Sequence, residues 1–494
     1  MRRRTPAVAA CLVVAGLSLL VPSKPTTDSW GWIVWGRELL HLELSTVVPG
    51  APAWKPLPVL MTTPLALAGD AAPTLWLLVA RAGALASLIV AYRLGDRLAG
   101  RWAGILAVAG LVLSMHWLRE FAHGYTEPLA IGLLLAAVDR HLCGRPRSAF
   151  LLAAPVALAR PEAWCLLVLY GGALARRRRV HPLLLASVVV PVPVLWLVPD
   201  WVGSGDPLHG SKLARLVVPT GTEAALTALG EAASIAPLPL SITALAGTAV
   251  AFRQGDRRIV EMAAVVVAWV ALLAALMLIG YPASSRYFVI PAGLLCVVGA
   301  AGAVCLARAA SGRPLRLAVA GALALAALPP LAVRAAAVAE EQLSAVSRAR
   351  LEADLRTTVD RSRGALLYCG TPVLPQGLAW AKGIVAWELD LPLRGVRASA
   401  TSAYANIEEL SRPGSLTPPP APRRAVAVRP RARPFVLLSP FGGAPLRVAD
   451  HPRMRLATVA GAGRWRAVMP IRAGGPRPRS CSIAPVRPVG PGSS

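Results

Sequence analysis

Asp28 stands in Asp28-Ser29-Trp30-Gly31-Trp32-Ile33-Val34-Trp35, directly after the first apolar run of the chain. Lys55 follows in Trp54-Lys55-Pro56-Leu57-Pro58, Glu127 in His123-Gly124-Tyr125-Thr126-Glu127-Pro128, and Arg160 in Arg160-Pro161-Glu162. The segment 200–213 adds Asp206, His209 and Lys212, and the segment 281–287 adds Arg286 and Tyr287. Carboxylates suit abstraction of a proton from a hydroxyl. Lys and Arg suit a leaving phosphate, on which charge builds as its bond breaks. Each residue also has a plainer reading. Asp28 could cap a helix, and Lys55 could snorkel to a membrane surface. Glu127 could answer a helix dipole, Asp206 could make a turn, and Arg286 could anchor at the interface. Arg160 has the weakest plain reading, because it interrupts an apolar segment. His116 and His123 read as members of a wet loop. The seven cysteines show no CxxC and the seven histidines no HExxH, so no metal and no cofactor are expected.

The elements that must position these residues are apolar. Of 494 residues, 55% are hydrophobic and 16% charged. Many runs approach the roughly 20 residues a spanning helix needs. The fold class is therefore an α-helical polytopic membrane protein. The net charge of +27 could suggest nucleic acid, but the arginines fall in clusters between apolar runs and in the tail. Nucleic acid is excluded on that ground. Residues 1–22 read as a spanning helix or as a signal peptide; both place Asp28 outside the cytoplasm. With basic clusters inside, the runs 73–92, 102–118, 128–142, 182–199, 235–252, 259–280, 287–307 and 317–333 alternate. The segment 148–175 is basic at both ends, so it folds back, with a break at Arg160-Pro161-Glu162. That gives about eleven transmembrane helices. All the polar stretches above then share the outer surface. Charged groups at membrane depth are costly and mark a site or a pathway.

Residues 335–494 differ in kind. The segment 335–362 reads as a polar helix, 364–370 and 434–440 as buried strands, and 374–388 as helix. Arg455 to Arg472 reads as a hairpin around Gly461-Ala462-Gly463. The expected organisation is a membrane module over 1–334 and a small extracytoplasmic α/β domain over 335–472. The latter carries a Pro/Arg-rich loop at 412–434, and a disordered basic tail follows over 473–494. Cys369 and Cys481 are the outer cysteines and could pair. The basic tail could hold anionic membrane lipid or an acidic wall polymer.

The set of motifs resembles the GT-C superfamily of membrane glycosyltransferases, in its protein O-mannosyltransferase-like and aminoarabinose-transferase-like branches. The likeness rests on the acid after the first helix (Asp28), Lys55-Pro56-Leu57-Pro58 beside that family's KPPL-type motif, Glu127 in Thr-Glu-Pro-Leu, and Arg160-Pro161-Glu162. Trp32 stands where the family often has Tyr, and the lysine motif reads KPLP. The resemblance implies an inverting, metal-independent transfer of a hexosyl or pentosyl group from a polyprenyl-phosphate sugar to a hydroxyl on a glycan, lipid or protein. In that reading Asp28 is the base, with Glu127 positioning the acceptor. Lys55, Arg160 and Arg286 hold the donor phosphate. Trp32, His123, Tyr125, Glu162, Asp206, His209 and Tyr287 are candidates for substrate contact. The alternatives are a transporter or lipid flippase and a non-catalytic scaffold. The first expects charges spread through the membrane depth, whereas here they collect at one surface. The second leaves the charges without a use.

Overall fold

A computed structural model describes residues 5–46, 48, 52–309, 312–374, 378–398, 435–439, 454–463 and 465–472. Contacts divide the chain into two units: 1–47 with 52–345, and 48–51 with 346–494.

The first unit is helical. In order it holds α1 (Thr5–Ser18), α2 (Thr27–Leu40), α3 (Pro56–Leu65), α4 (Ala72–Ala99), α5 (Arg101–Leu113), α6 (Trp117–His123), α7 (Glu127–Leu142), α8 (Pro146–Ala159) and α9 (Ala163–Arg176). Then come α10 (Pro182–Val189), α11 (Pro191–Ser204), α12 (His209–Val217), α13 (Thr222–Ala232), α14 (Leu238–Arg253), α15 (Arg257–Leu278), α16 (Val289–Ala309) and most of α17 (Arg313–Arg361). Among the described residues four helical segments are long and apolar enough to cross a membrane: Pro56–Ala99, Pro182–Ser204, Arg257–Leu278 and Ser285–Ala309. The pair α5 and α6, bent by 68°, is a fifth if taken as one span. This is a multi-pass membrane protein; length and composition alone support fewer than eleven spans, the other apolar helices being shorter.

Break points follow the sequence. Pro161 forces Arg160 into an extended conformation (φ −144°, ψ 118°) and ends α8, so 148–175 is two helices as expected. Gly69, at φ 55°, kinks the chain between α3 and α4. Between the runs 182–199 and 235–252 the chain carries α12 and α13, Thr222–Ala232 being rich in Ala and Leu, strong helix formers. One expectation fails. The expected division between 317–333 and 335–362 vanishes into α17, a 49-residue helix whose alanines carry it past Arg334.

Tryptophan is enriched where bilayer meets water, which predicts an interfacial belt near Asp28. The rings are instead core: Trp30, Trp32 and Trp35 are 1% exposed or less. Trp32 meets Trp76 edge-on at 6.2 Å between ring centroids, and Trp35 meets Trp54 at 5.5 Å. Lipid offers no hydrophobic drive between helices, so close backbone approach has to serve. In α14 and α16, Gly247 lies against Gly302, Gly299 against the Leu240 carbonyl, and Thr243 Oγ1 donates to Gly299 O at 2.9 Å.

The second unit packs the end of α17 and α18 (Lys382–Glu388) with a five-stranded sheet: β1 (Thr371–Leu374), β2 (Arg397–Ala398), β3 (Phe435–Ser439), β4 (Met454–Ala462) and β5 (Trp465–Arg472), in the order β2-β1-β3-β5-β4. β1 is parallel to β2 and β3, while β5 is antiparallel to β3 and β4. The β4–β5 hairpin is the one expected, with a bulge between Thr458 and Ala460. The strand expected over 364–370 is a π-helical turn (Ala365–Cys369), and the strand begins just after it. Short apolar runs do not declare their period. Helix is found over only part of 374–388, as a short turn (Ala379–Ala381) and α18. The loop 412–434 and the tail from 473 lie outside the described residues. Buried Trp465 donates its indole N–H to Leu351 O at 3.0 Å, tying the hairpin to α17. Cys369 is disulfide-bonded, and its expected partner Cys481 lies outside the described residues.

Gly302→Val would drive a side chain into the Thr243 carbonyl. The expected cost is about 1–3 kcal/mol from overpacking, read as a lower melting temperature in detergent. An unchanged melt would show that α14 and α16 do not pack this closely.

Candidate active site

The charged residues singled out in the sequence stand at helix ends. Asp28 is in the first turn of α2, which is capped by Thr26, whose side chain accepts from Ser29 N. Asp28 is therefore not the cap. Lys55 is the residue before α3, whose Pro56 suits the first helical position. Glu127 opens α7, also followed by proline. Arg160 ends α8, and Arg286 sits in the 3₁₀ turn Ser285–Phe288 before α16. Helix ends carry unsatisfied backbone groups and tolerate charge, so a site can be assembled there without breaking a helix.

Glu127 lies at the centre. Its side chain is fully buried. Lys55 Nζ donates to its Oε1 at 3.1 Å, Arg286 Nη2 lies 3.1 Å from the same oxygen, and Arg160 Nη1 lies 4.0 Å from it. Thr126 Oγ1 faces Oε2 at 3.4 Å. Arg286 Nη1 donates to Asp28 Oδ2 at 2.9 Å. Arg160 Nη2 donates to the backbone carbonyl of Arg286 at 2.9 Å, and its Nε lies 3.3 Å from Glu162 Oε1. Lys55, Arg160 and Arg286 thus face Asp28, Glu127 and Glu162, three cations against three acids.

Aromatic faces hold the cations in place. Lys55 Nζ is 5.1 Å from the Trp32 ring, Arg160 is 4.6 Å from Tyr287, and Arg286 is 4.2 Å from Tyr125. Burial pushes the Lys55 ammonium below its ordinary pKa, and Glu127 pulls it back up.

Exposure separates the residues. The side chains of Lys55 and Arg160 are 8% and 5% exposed, those of Asp28 and Arg286 20% and 30%. Asp28 and Arg286 form the accessible lip, with Lys55 and Arg160 behind it holding Glu127. Arg286 Nε is buried without a hydrogen-bond partner, while Glu162 is held by its ion pair with Arg160 and by Tyr281.

Of the remaining candidates only Trp32 touches the cluster, among the described residues. Trp32 is fully buried beneath Lys55 and donates to Ala53 O at 3.3 Å. His123 is no loop residue in water; it is fully buried, with Nδ1 3.1 Å from Lys24 O. Asp206 accepts from Leu208 N at 3.1 Å and Lys212 at 2.6 Å, serving its own turn. His209 begins α12, where it faces the charges of Asp200 and Asp206. One acid escaped the sequence reading. Glu120, on α6, is 4% exposed, has an Oε2 without a partner, and interacts electrostatically with Glu127 and the three cations. An acid inside Trp117-Leu118-Arg119-Glu120-Phe121 was the signal available.

No protein-family model matches the chain, and no curated protein matches it. Solved structures do. ArnT from Cupriavidus metallidurans in the apo state superposes with a TM-score of 0.53 at 15% identity, over 96% of this chain and 99% of that one. The same protein bound to undecaprenyl phosphate gives 0.50 at 14%, over 94% and 97%. The chain shares the fold of ArnT along nearly its whole length. In this fold the polar cluster is formed by helix ends from α2, α3, α7 and α8 and the turn before α16.

Glu127→Gln would leave three largely buried cations short of a counter-charge. Removing one partner of a buried pair costs about 3–5 kcal/mol, so a marked fall in melting temperature is expected. Asp28→Asn, at the half-buried lip, should melt close to wild type. Equal melting of Glu127→Gln and wild type would show that Glu127 is not the hub of the cluster.

Proposed function

We propose that the chain is an integral-membrane glycosyltransferase, moving a sugar from a polyprenyl-phosphate donor to an acceptor hydroxyl at the extracytoplasmic face of about eleven spans. The transfer is inverting and needs neither metal nor cofactor. One observation carries this reading: the partly exposed pair of Asp28 and Arg286, a base beside a cation, backed by a buried and charge-balanced cluster. The undecaprenyl phosphate held by ArnT, whose fold this chain shares, supports a lipid phosphate as the donor's carrier.

The acceptor oxygen attacks the anomeric carbon from the face opposite the phosphate. Its proton passes to a carboxylate oxygen of Asp28 as the new bond forms. The bond from anomeric carbon to phosphate oxygen breaks, and its electron pair leaves with the phosphate. Arg286, the accessible cation, meets that growing charge. Lys55 and Arg160 act from behind, through Glu127 and the Arg286 carbonyl, to fix where the guanidinium points. Glu162, paired with Arg160, helps hold that guanidinium in place. The lipid tail lies among the helices and delivers the anomeric carbon in one orientation, which lowers the barrier by removing a search.

Purified protein with radiolabelled polyprenyl-phosphate sugars and a mixed envelope extract tests the reading. Asp28→Asn should lose on the order of 10²–10⁴-fold in turnover and still bind donor. Arg286→Ala should weaken donor binding about tenfold to a hundredfold, as expected for a charged hydrogen bond. Near-normal transfer by Asp28→Asn removes Asp28 as the base. Lipid movement across vesicles without sugar transfer would favour a flippase instead.

A further inference from the structure

Arg81 is buried within the apolar helix α4, 2% exposed, with no carboxylate paired to it among the described residues. An arginine at that depth is costly and needs a use. Its three bonded contacts reach two different segments. Nη1 donates to Ser18 Oγ at 3.0 Å, and Nη2 donates to Ser23 Oγ, both around the linker between α1 and α2. Nη2 also donates to the Ala122 carbonyl at 2.7 Å, in the last turn of α6, where carbonyls lack helical partners. The guanidinium lies 5.6 Å from the Phe121 ring.

The two segments are also bonded to each other. Thr26 N donates to His123 O at 3.3 Å, Ser29 Oγ to Gly124 O at 2.9 Å, and His123 Nδ1 lies 3.1 Å from Lys24 O. Trp76, one turn and a little before Arg81 on α4, donates to the same Gly124 carbonyl at 3.0 Å. Asp28 follows one segment by two residues after Thr26, and Glu127 follows the other by three after Gly124.

We infer that Arg81 is a positioning residue: from inside α4 it clasps the α1–α2 linker to the end of α6, and so sets Asp28 opposite Glu127 for Arg286 to bridge. Its catalytic consequence rests on the glycosyl-transfer reading above. A planar fork can serve the three acceptors at once, and a lysine ammonium on a longer swing cannot hold the same directions.

The test uses the full chain in lipid nanodiscs, comparing Arg81→Met, Arg81→Lys and the double variant Ser18→Ala/Ser23→Ala. Amide hydrogen exchange at Thr26 and melting temperature are read alongside turnover of radiolabelled polyprenyl-phosphate sugars. The double variant keeps the arginine, so it answers even if Arg81→Met does not fold. Expected are faster exchange at Thr26, an unchanged melt, an unchanged donor KM, and a kcat lower by up to about 10²-fold, the effect of a misplaced group. Arg81→Lys should recover part of the kcat. Wild-type exchange and kcat in the double variant overturn the inference. So does a fall in kcat that merely follows a lower melt with exchange raised everywhere. If the wild-type chain transfers no sugar, the transfer reading fails, and exchange at Thr26 alone decides the clasp: raised keeps it, unchanged removes it.

Discussion

A carboxylate with no access to water cannot stay charged without cations, and Glu127 draws three of them from distant parts of the chain. Lys55, Arg160 and Arg286 are separated by more than a hundred residues at the extremes, yet each points a nitrogen at one oxygen. The arrangement is self-limiting. Remove the acid and three like charges repel in a medium that screens poorly; remove a cation and the acid loses part of its shell. The rest of the first unit can be understood as the scaffold that keeps these groups at the ends of helices rather than along them.

That placement explains why the helices tolerate such a cluster. Proline after Lys55, Glu127 and Arg160 ends or begins a helix beside each charge. The chain there already lacks some of its backbone hydrogen bonds, so polar side chains cost less at these places than in mid-helix. Away from the ends, packing is carried by small residues and by buried tryptophan rings, as in α14 against α16 and in the Trp32–Trp76 pair.

Much of this was readable in the residues, for reasons that can be stated. Charges flanked by apolar runs and proline are conspicuous, so Asp28, Lys55, Glu127, Arg160 and Arg286 could be grouped by topology before any coordinates. The break at Arg160 and the hairpin ending at Arg472 follow from local rules. Other features are set by partners far away in sequence and leave little trace. Trp32 could be read as a belt residue because burial by Lys55 and Trp76 is a tertiary fact. Asp206 looked like part of the cluster because the expected topology put both at one surface, yet its own turn satisfies it. Arg81 was invisible because one arginine in a long apolar run reads as a tolerated exception. Helical continuity through Arg334 shows the reverse error, in which a charge was given more weight than the alanines around it.

The bond from Arg286 to Asp28 has a thermodynamic corollary. The donor nitrogen that holds the carboxylate is also the cluster's most open cation, so an anion arriving there competes with Asp28 for it. Two ligands rivalling for one group are linked with opposite sign, and whatever tightens the first loosens the second by the same free energy. An empty pocket therefore keeps its acid clamped, and a filled one sets it free.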